Sequence, residues 1–173
     1  MALSLYDISV ANYVQTLGAV AGFLDKGAAH CASEGMDPGE LVETRLVADM
    51  MPLRFQIASV AHHSLGALKG AQAGVFKPPA SGDELDYAGL QALVSETSQQ
   101  LQDYDRATVD ALEGKDMVFE LGANKLPFVA ENFILSFSLP NFYFHATTAY
   151  DILRHKGVPL GKRDFMGQMR MKG

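Results

Sequence analysis

Four polar residues recur at one-turn intervals in the last third of the chain: Ser138, Asn141, His145 and Thr148. Offsets of three, four and three put all four side chains on one face of a helix. They run through a segment that also carries Phe133, Ile134, Phe137, Leu139, Phe142, Tyr143 and Phe144. So much aromatic and aliphatic mass has to be covered by neighbouring elements. A buried polar group without a partner costs on the order of 1–3 kcal/mol. The four are therefore expected to bond to each other, to a facing helix, to water or to a ligand. Asn141 and His145, one turn apart, could jointly hold a metal ion or a water molecule.

Candidate partners lie in an earlier segment. Gln56 and His63 are seven residues apart and share a face beside the apolar stripe Leu53, Ile57 and Val60,. His62 points about 100° away from His63 on a helix, so the two are not both expected to face inward. Tyr6 and Tyr13 can bring hydroxyls into the same interior. Asp49 reads as a helix N-cap or as a carboxylate at the rim of the site. Each of these has a plainer reading, since a histidine in a helical core is often satisfied by one carbonyl or hydroxyl and does nothing else. His155 stands four residues after Asp151 near a helix end, a spacing that pairs them,.

Periodicity outlines the elements that must position these residues. Tyr6, Val10, Tyr13, Leu17, Val20 and Leu24 alternate spacings of four and three, which predicts a helix over about 4–29. The glycines and Pro38 between residues 31 and 39 read as a turn, followed by a short amphipathic piece. A second helix is expected over 52–73, with Pro52 tolerated in its first turn because its missing amide hydrogen would be unpaired there. The prolines and glycine of 77–83 read as a connector and a third helix as 85–112. Alternation of Met117, Phe119 and Leu121, then the turn residues Gly122 to Asn124, predicts a small β-hairpin,. The last long helix spans 130–155, closed by Gly157 and Pro159, with Pro140 predicted to kink it. Long amphipathic helices in one small domain bury their faces most simply as a four-helix bundle. The expected fold is all-α, a single domain over 1–173 with a small hairpin before the last long helix.

Composition narrows the function. The 173 residues are 48% apolar and 20% charged, with a formal net charge of −6, values typical of a folded globular chain. No block of Lys and Arg could neutralise several phosphates, which argues against nucleic acid. The lone cysteine, Cys31, excludes an internal disulfide. No apolar run reaches the roughly 18 residues of a membrane span, and the N-terminal stretch has no basic region of a signal peptide. The cytoplasm is the expected compartment. A phosphate-binding glycine loop, a His-Glu-x-x-His zinc motif, a Glu-x-x-His di-iron motif and a nucleophile elbow are all missing.

Three stretches carry a resemblance: Asp49-Met50-Met51-Pro52-Leu53, Leu139-Pro140-Asn141-Phe142-Tyr143-Phe144-His145, and Leu153-Arg154-His155-Lys156-Gly157-Val158-Pro159-Leu160-Gly161. They resemble an uncharacterised bacterial family within the DinB/YfiT-like superfamily of four-helix bundles. That resemblance implies a pocket between the helices. It also implies a divalent metal, zinc or nickel, held by one histidine of the second helix and two of the last, four residues apart. In this chain the last-helix pair falls on Asn141 and His145, so one histidine is replaced, and His63 is the second-helix candidate. Some members of the superfamily are thiol-dependent transferases or isomerases.

Two readings follow. In one, a small molecule binds between the first, second and fourth helices against Tyr13, Gln56, Asn141 and His145, with or without a metal. In the other, the polar seam only fixes helix register in a non-catalytic bundle that acts as a homodimer. DNA binding, suggested only by the superfamily's name, is opposed by the acidic charge.

Overall fold

The computed structural model describes residues 3–79 and 85–172. Ser4 and Asp7 cap each other, the Ser4 hydroxyl accepting the Asp7 amide and the Asp7 carboxylate accepting the Ser4 amide; this starts helix α1 (Leu5–Ile8),. The chain breaks step at Ser9 and continues as α2 (Val10–Glu34). The predicted helix over 4–29 is thus split near its start and runs on past its expected end. Nothing between Ala29 and Glu34 stops it until Gly35 takes a left-handed conformation at φ +66°,.

After the short α3 (Gly39–Val42), the second long helix is composite. It consists of α4 (Leu53–Ala61), a π-helical turn (His62–Gly66) and α5 (Ala67–Ala73), with right-handed helical backbone at each junction. The N-cap of α4 is Pro52, and Asp49 lies in the turn before it. The Thr44 carbonyl accepts the Leu53 amide at 2.9 Å and the Pro52 carbonyl accepts the Phe55 amide at 3.0 Å, so backbone oxygens answer first-turn donors in place of the side-chain cap expected of Asp49,. The stripe Leu53, Ile57, Val60, Ser64, Ala67 and Leu68 is buried as expected.

The predicted helix over 85–112 is two pieces, α6 (Tyr87–Gln102) and α7 (Arg106–Asp110). Asp105 caps the second piece by accepting the Thr108 amide, and this restart explains the break,. The described part of the 77–83 connector ends at Pro79; the rest lies outside the described residues. The hairpin forms as β2 (Asp116–Leu121) and β3 (Asn124–Val129). A strand missed by periodicity, β1 (Val75–Phe76), joins β2 in parallel with Phe76 opposite Phe119. Two residues are too few to show an alternation.

The last long helix is also composite: α8 (Ala130–Phe133), a second π-helical turn (Ile134–Ser138) and α9 (Leu139–His155). Pro140 is the second residue of α9, so the predicted kink takes the form of a widened turn just ahead of it. A proline has no amide hydrogen to return to the preceding turn, and a π turn is one way to absorb that loss. α9 closes at Gly157, φ +92°, and a short α10 (Lys162–Met166) follows. α2 packs on α6 and α9, while α4 packs on α9 and α6. Tyr13, Phe23 and Phe142 are fully buried there, Tyr13 against Phe142 and Phe23 against Tyr150. The chain is mostly helical with a three-stranded sheet at one side.

Candidate functional site

The two π-helical turns touch. Ser138, the last residue of the second, donates its hydroxyl to the carbonyl of His63 in the first at 2.6 Å. Tyr13 of α2 approaches the same Ser138 oxygen at 3.0 Å. Since Ser138 gives its proton to the carbonyl, Tyr13 is the donor in that second bond. Tyr13 and Ser138 are both fully buried, and burial holds the phenol well above its ordinary range,. The chain of bonds ends on a carbonyl, so it cannot pass a proton onward. Its effect is to tie three helices together and fix the backbone of His63.

Beside this knot sit two imidazoles. The rings of His63 and His145 are 5.8 Å apart and nearly parallel, at 16°. His145 projects from α9 toward Gln56 of α4, and its Nδ1 is 2.8 Å from Gln56 Oε1. The other end of the Gln56 amide donates to the Met51 carbonyl at 2.8 Å. This second bond decides the first. With its nitrogen committed to Met51, Gln56 presents only an oxygen to His145, and an oxygen acceptor requires a proton on Nδ1. Burial pushes the His145 imidazole down to about 4, so the ring is neutral at neutral pH and Nε2 carries a bare lone pair. Among the described residues nothing hydrogen-bonds to that atom.

His63 is different. Its Nδ1 is buried without a hydrogen-bond partner among the described residues. The ring lies 5.6 Å from those of both Phe76 and Phe137. Burial first, then the neighbouring His62 and His145, push it down to about 3. An unpartnered buried nitrogen of this kind is a cost to folding that a purely structural residue would not need to carry. His62 donates Nε2–H to the Lys77 carbonyl at 2.8 Å, and its ring packs on Phe76 with centroids 4.4 Å apart. The expected divergence of the two adjacent histidines is not complete: in this π-helical turn their rings stand 5.5 Å apart and share Phe76, with His62 half-buried.

Not every member of the seam reaches across. Asn141 donates its amide to the Phe137 carbonyl of its own helix at 2.8 Å, and Thr148 bonds back to the Phe144 carbonyl at 2.8 Å. Short polar side chains in helices can satisfy themselves in this way. Asn141 is thus near the imidazoles in sequence register but spends its amide nitrogen locally. Tyr6 packs under the Arg106 guanidinium at 4.7 Å, away from this cluster. Asp49 makes no contact with it through any described hydrogen bond or ion pair. Sequence reasoning missed Phe55, whose ring stands 5.8 Å from His145, and the Met51 carbonyl that orients Gln56. Phe55 adjoins Gln56 in sequence and could have been found from that; the backbone acceptor gives no sequence signal.

The metal centre implied by the resemblance needs three good ligands. Here two imidazoles are at hand, one with Nδ1 occupied by Gln56 and the other with Nδ1 sealed among phenylalanines. The third position is Asn141. Among the described residues no group of three or more His, Cys, Asp or Glu side chains could hold an ion. Cys31 is buried on α2, its thiol pushed up by that burial. This donor set does not fit a zinc or nickel centre of the superfamily's kind.

The family model for DUF1993, a domain of unknown function, matches residues 5–166. No curated protein matches the chain. The crystal structure of a DinB family member protein from Shewanella denitrificans is similar at 26% identity, covering 98% of this chain and 95% of that one, with a TM-score of 0.80. No helix among the described residues is long and apolar enough to cross a membrane. The three sequence stretches that pointed to an uncharacterised DinB-like family are thereby borne out, and the chain belongs to the DUF1993 family.

Proposed function

We propose that this chain binds a small organic molecule between α4 and α9, in what we read as a four-helix bundle of α2, α4–α5, α6 and α9. His145 Nε2 is the atom that accepts a hydrogen bond or a proton from it. The observation that carries this reading is the Gln56 amide, bonded on one side to Met51 and on the other to His145. That arrangement holds the ring in one tautomer and leaves its basic nitrogen without a protein partner. Orienting a histidine through its other nitrogen is how a general base is prepared for work.

The ligand is uncharged and carries an acidic O–H, N–H or S–H. Among the described residues no carboxylate bonds to either imidazole to attract a cation, and neutral rings offer an anion little. With the ring held at about 4, the ligand's proton is shared with Nε2 as a hydrogen bond rather than taken outright, while Gln56 Oε1 accepts the Nδ1–H. A low-molecular-weight thiol of the sort the resemblance implies meets these demands without a metal. Tyr13 serves through Ser138, fixing the backbone from which His63 projects, and Asn141 borders the site.

Nitrogen-15 spectra of the imidazoles test this directly. The Nδ1–H tautomer of His145 is expected from neutral pH down to near pH 4, and small thiols or phenols should shift its Nε2 resonance in the wild type but leave no trace in His145→Ala. An Nε2–H tautomer, or ligand binding indifferent to His145→Ala, would reject the reading.

A homodimer remains the second reading. Leu121, Leu126 and Leu135 are between 45% and 49% exposed around the hairpin and the second π turn, and β3 is an open edge of the sheet,. Sedimentation at micromolar concentration, with Leu126→Lys as the disrupting variant, decides it: a monomer throughout dismisses this interface.

A further inference from the structure

A shallow, open groove of about 480 Å³ runs along α9, and Gln56, His63 and His145 do not line it. One wall is the stripe Pro140, Tyr143, Phe144, Thr147 and Asp151; the other is Leu46 and Met50 from the chain ahead of α4. The two ends differ in kind. Tyr143 and Phe144 are 38% and 56% exposed, so one end presents open aromatic surface. Asp151, seven residues and about 10 Å further along the helix axis, puts a carboxylate at the other.

That carboxylate is unmatched. The pairing with His155 suggested by their spacing does not form, and Asp151 makes no ion pair or hydrogen bond among the described residues. Arg45, next to Leu46 in the chain, donates to the Met50 carbonyl at 2.6 Å, and Arg154, three residues after Asp151, donates to the Val158 carbonyl at 3.4 Å. An unpaired carboxylate attracts a cation, and the exposed aromatic faces about 10 Å away along the helix favour an apolar tail.

We propose that this groove binds an amphipathic organic cation, its alkyl tail against Met50, Tyr143 and Phe144 and its ammonium on the Asp151 carboxylate. The spacing of the two ends matches a chain of about octyl length. This site is independent of the His145 reading and stands or falls separately.

Titration calorimetry with n-octylammonium, n-octanol and octanoate tests it. Octylammonium should bind one saturable site at least tenfold more tightly than octanol, with octanoate silent. Asp151→Asn should bring octylammonium to the level of octanol, and Phe144→Ala should weaken both by a similar factor. Both positions are at the surface, and unchanged melting of the two variants verifies their folding. His145→Ala should leave octylammonium affinity unchanged, which separates this groove from the imidazole site. Equal affinity for octanol and octylammonium, no saturable binding, or indifference to Asp151→Asn would each overturn the proposal. So would a second copy of the chain seated in the groove, seen as dimerisation that Phe144→Ala abolishes and octylammonium does not displace.

Discussion

Two clusters of polar atoms lie on either side of the contact between the π-helical turns, and they are built on opposite terms. On one side Tyr13, Ser138 and the His63 carbonyl form a closed set, with every hydrogen bond answered and no access to solvent. On the other, His63 Nδ1 is buried and unanswered, and the Nε2 of His145 is bare while its Nδ1 is held by Gln56. The first arrangement stabilises the fold. The second costs stability and leaves lone pairs available, a trade typical of functional positions. π turns concentrate at such positions because an extra residue in the helix re-aims side chains and frees backbone acceptors.

The sharpest way to break this contrast is Ser138→Ala. It strands the Tyr13 hydroxyl and the His63 carbonyl together, so a loss of about 2–4 kcal/mol is expected by calorimetric or denaturant unfolding. A loss below about 0.5 kcal/mol would show that the closed set does not hold the helices.

Acid probes the other side. His63 and His145 are pushed below their ordinary value of 6.5, to about 3 and about 4, chiefly by burial. In the unfolded chain both take up protons near pH 6.5, while in the folded chain they stay neutral. Their contribution is therefore fully present above pH 6.5 and drains away as the pH falls toward 4. Between pH 7 and pH 5 the expected loss is about 1–2 kcal/mol for each imidazole. The depressed carboxylates Asp105, Glu120 and Asp164 titrate lower, so this window reports the histidines, including His62, which burial also lowers. A flat stability profile from pH 7 to 5 would contradict the buried neutral pair.

Replacing His63 by Phe keeps a ring and removes the orphaned nitrogen. Stability should rise, by about 1 kcal/mol, and the acid-sensitive loss should become smaller without vanishing. A destabilised His63→Phe would mean that Nδ1 has a partner after all. The smallest effect is expected for Tyr13→Phe. Ser138 can still serve the carbonyl, so about 0.5–1.5 kcal/mol is lost, clearly less than for Ser138→Ala in parallel melts. If the two variants lose equally, the bonds do not run from Tyr13 through Ser138 to the backbone.

Much of the fold was legible in the chain. Apolar spacing located the long helices, and alternation around Met117 found the hairpin, because burial on one face imposes a period that composition cannot hide. What escaped were features with no periodic signature: the break at Ser9, the restart at Asp105, the two-residue β1 and both π turns. The site was legible by half. Spacing put Ser138, Asn141, His145 and Thr148 on one face, yet gave no means of telling which would reach across. Asn141 and Thr148 close on their own helix, and only Ser138 and His145 find partners in α4 and its π turn.

Sequence alone determined which residue types stand at one-turn intervals, where the helices lie and that the chain resembles a DinB-like family, since these depend on order along the chain. Tertiary structure alone decided which lone pairs are answered. The Met51 carbonyl that turns Gln56 around, and through it sets the proton of His145 on Nδ1, is a backbone atom of a different segment. Its role depends on where the folded chain brings it, and no property of residue 51 as a methionine encodes it.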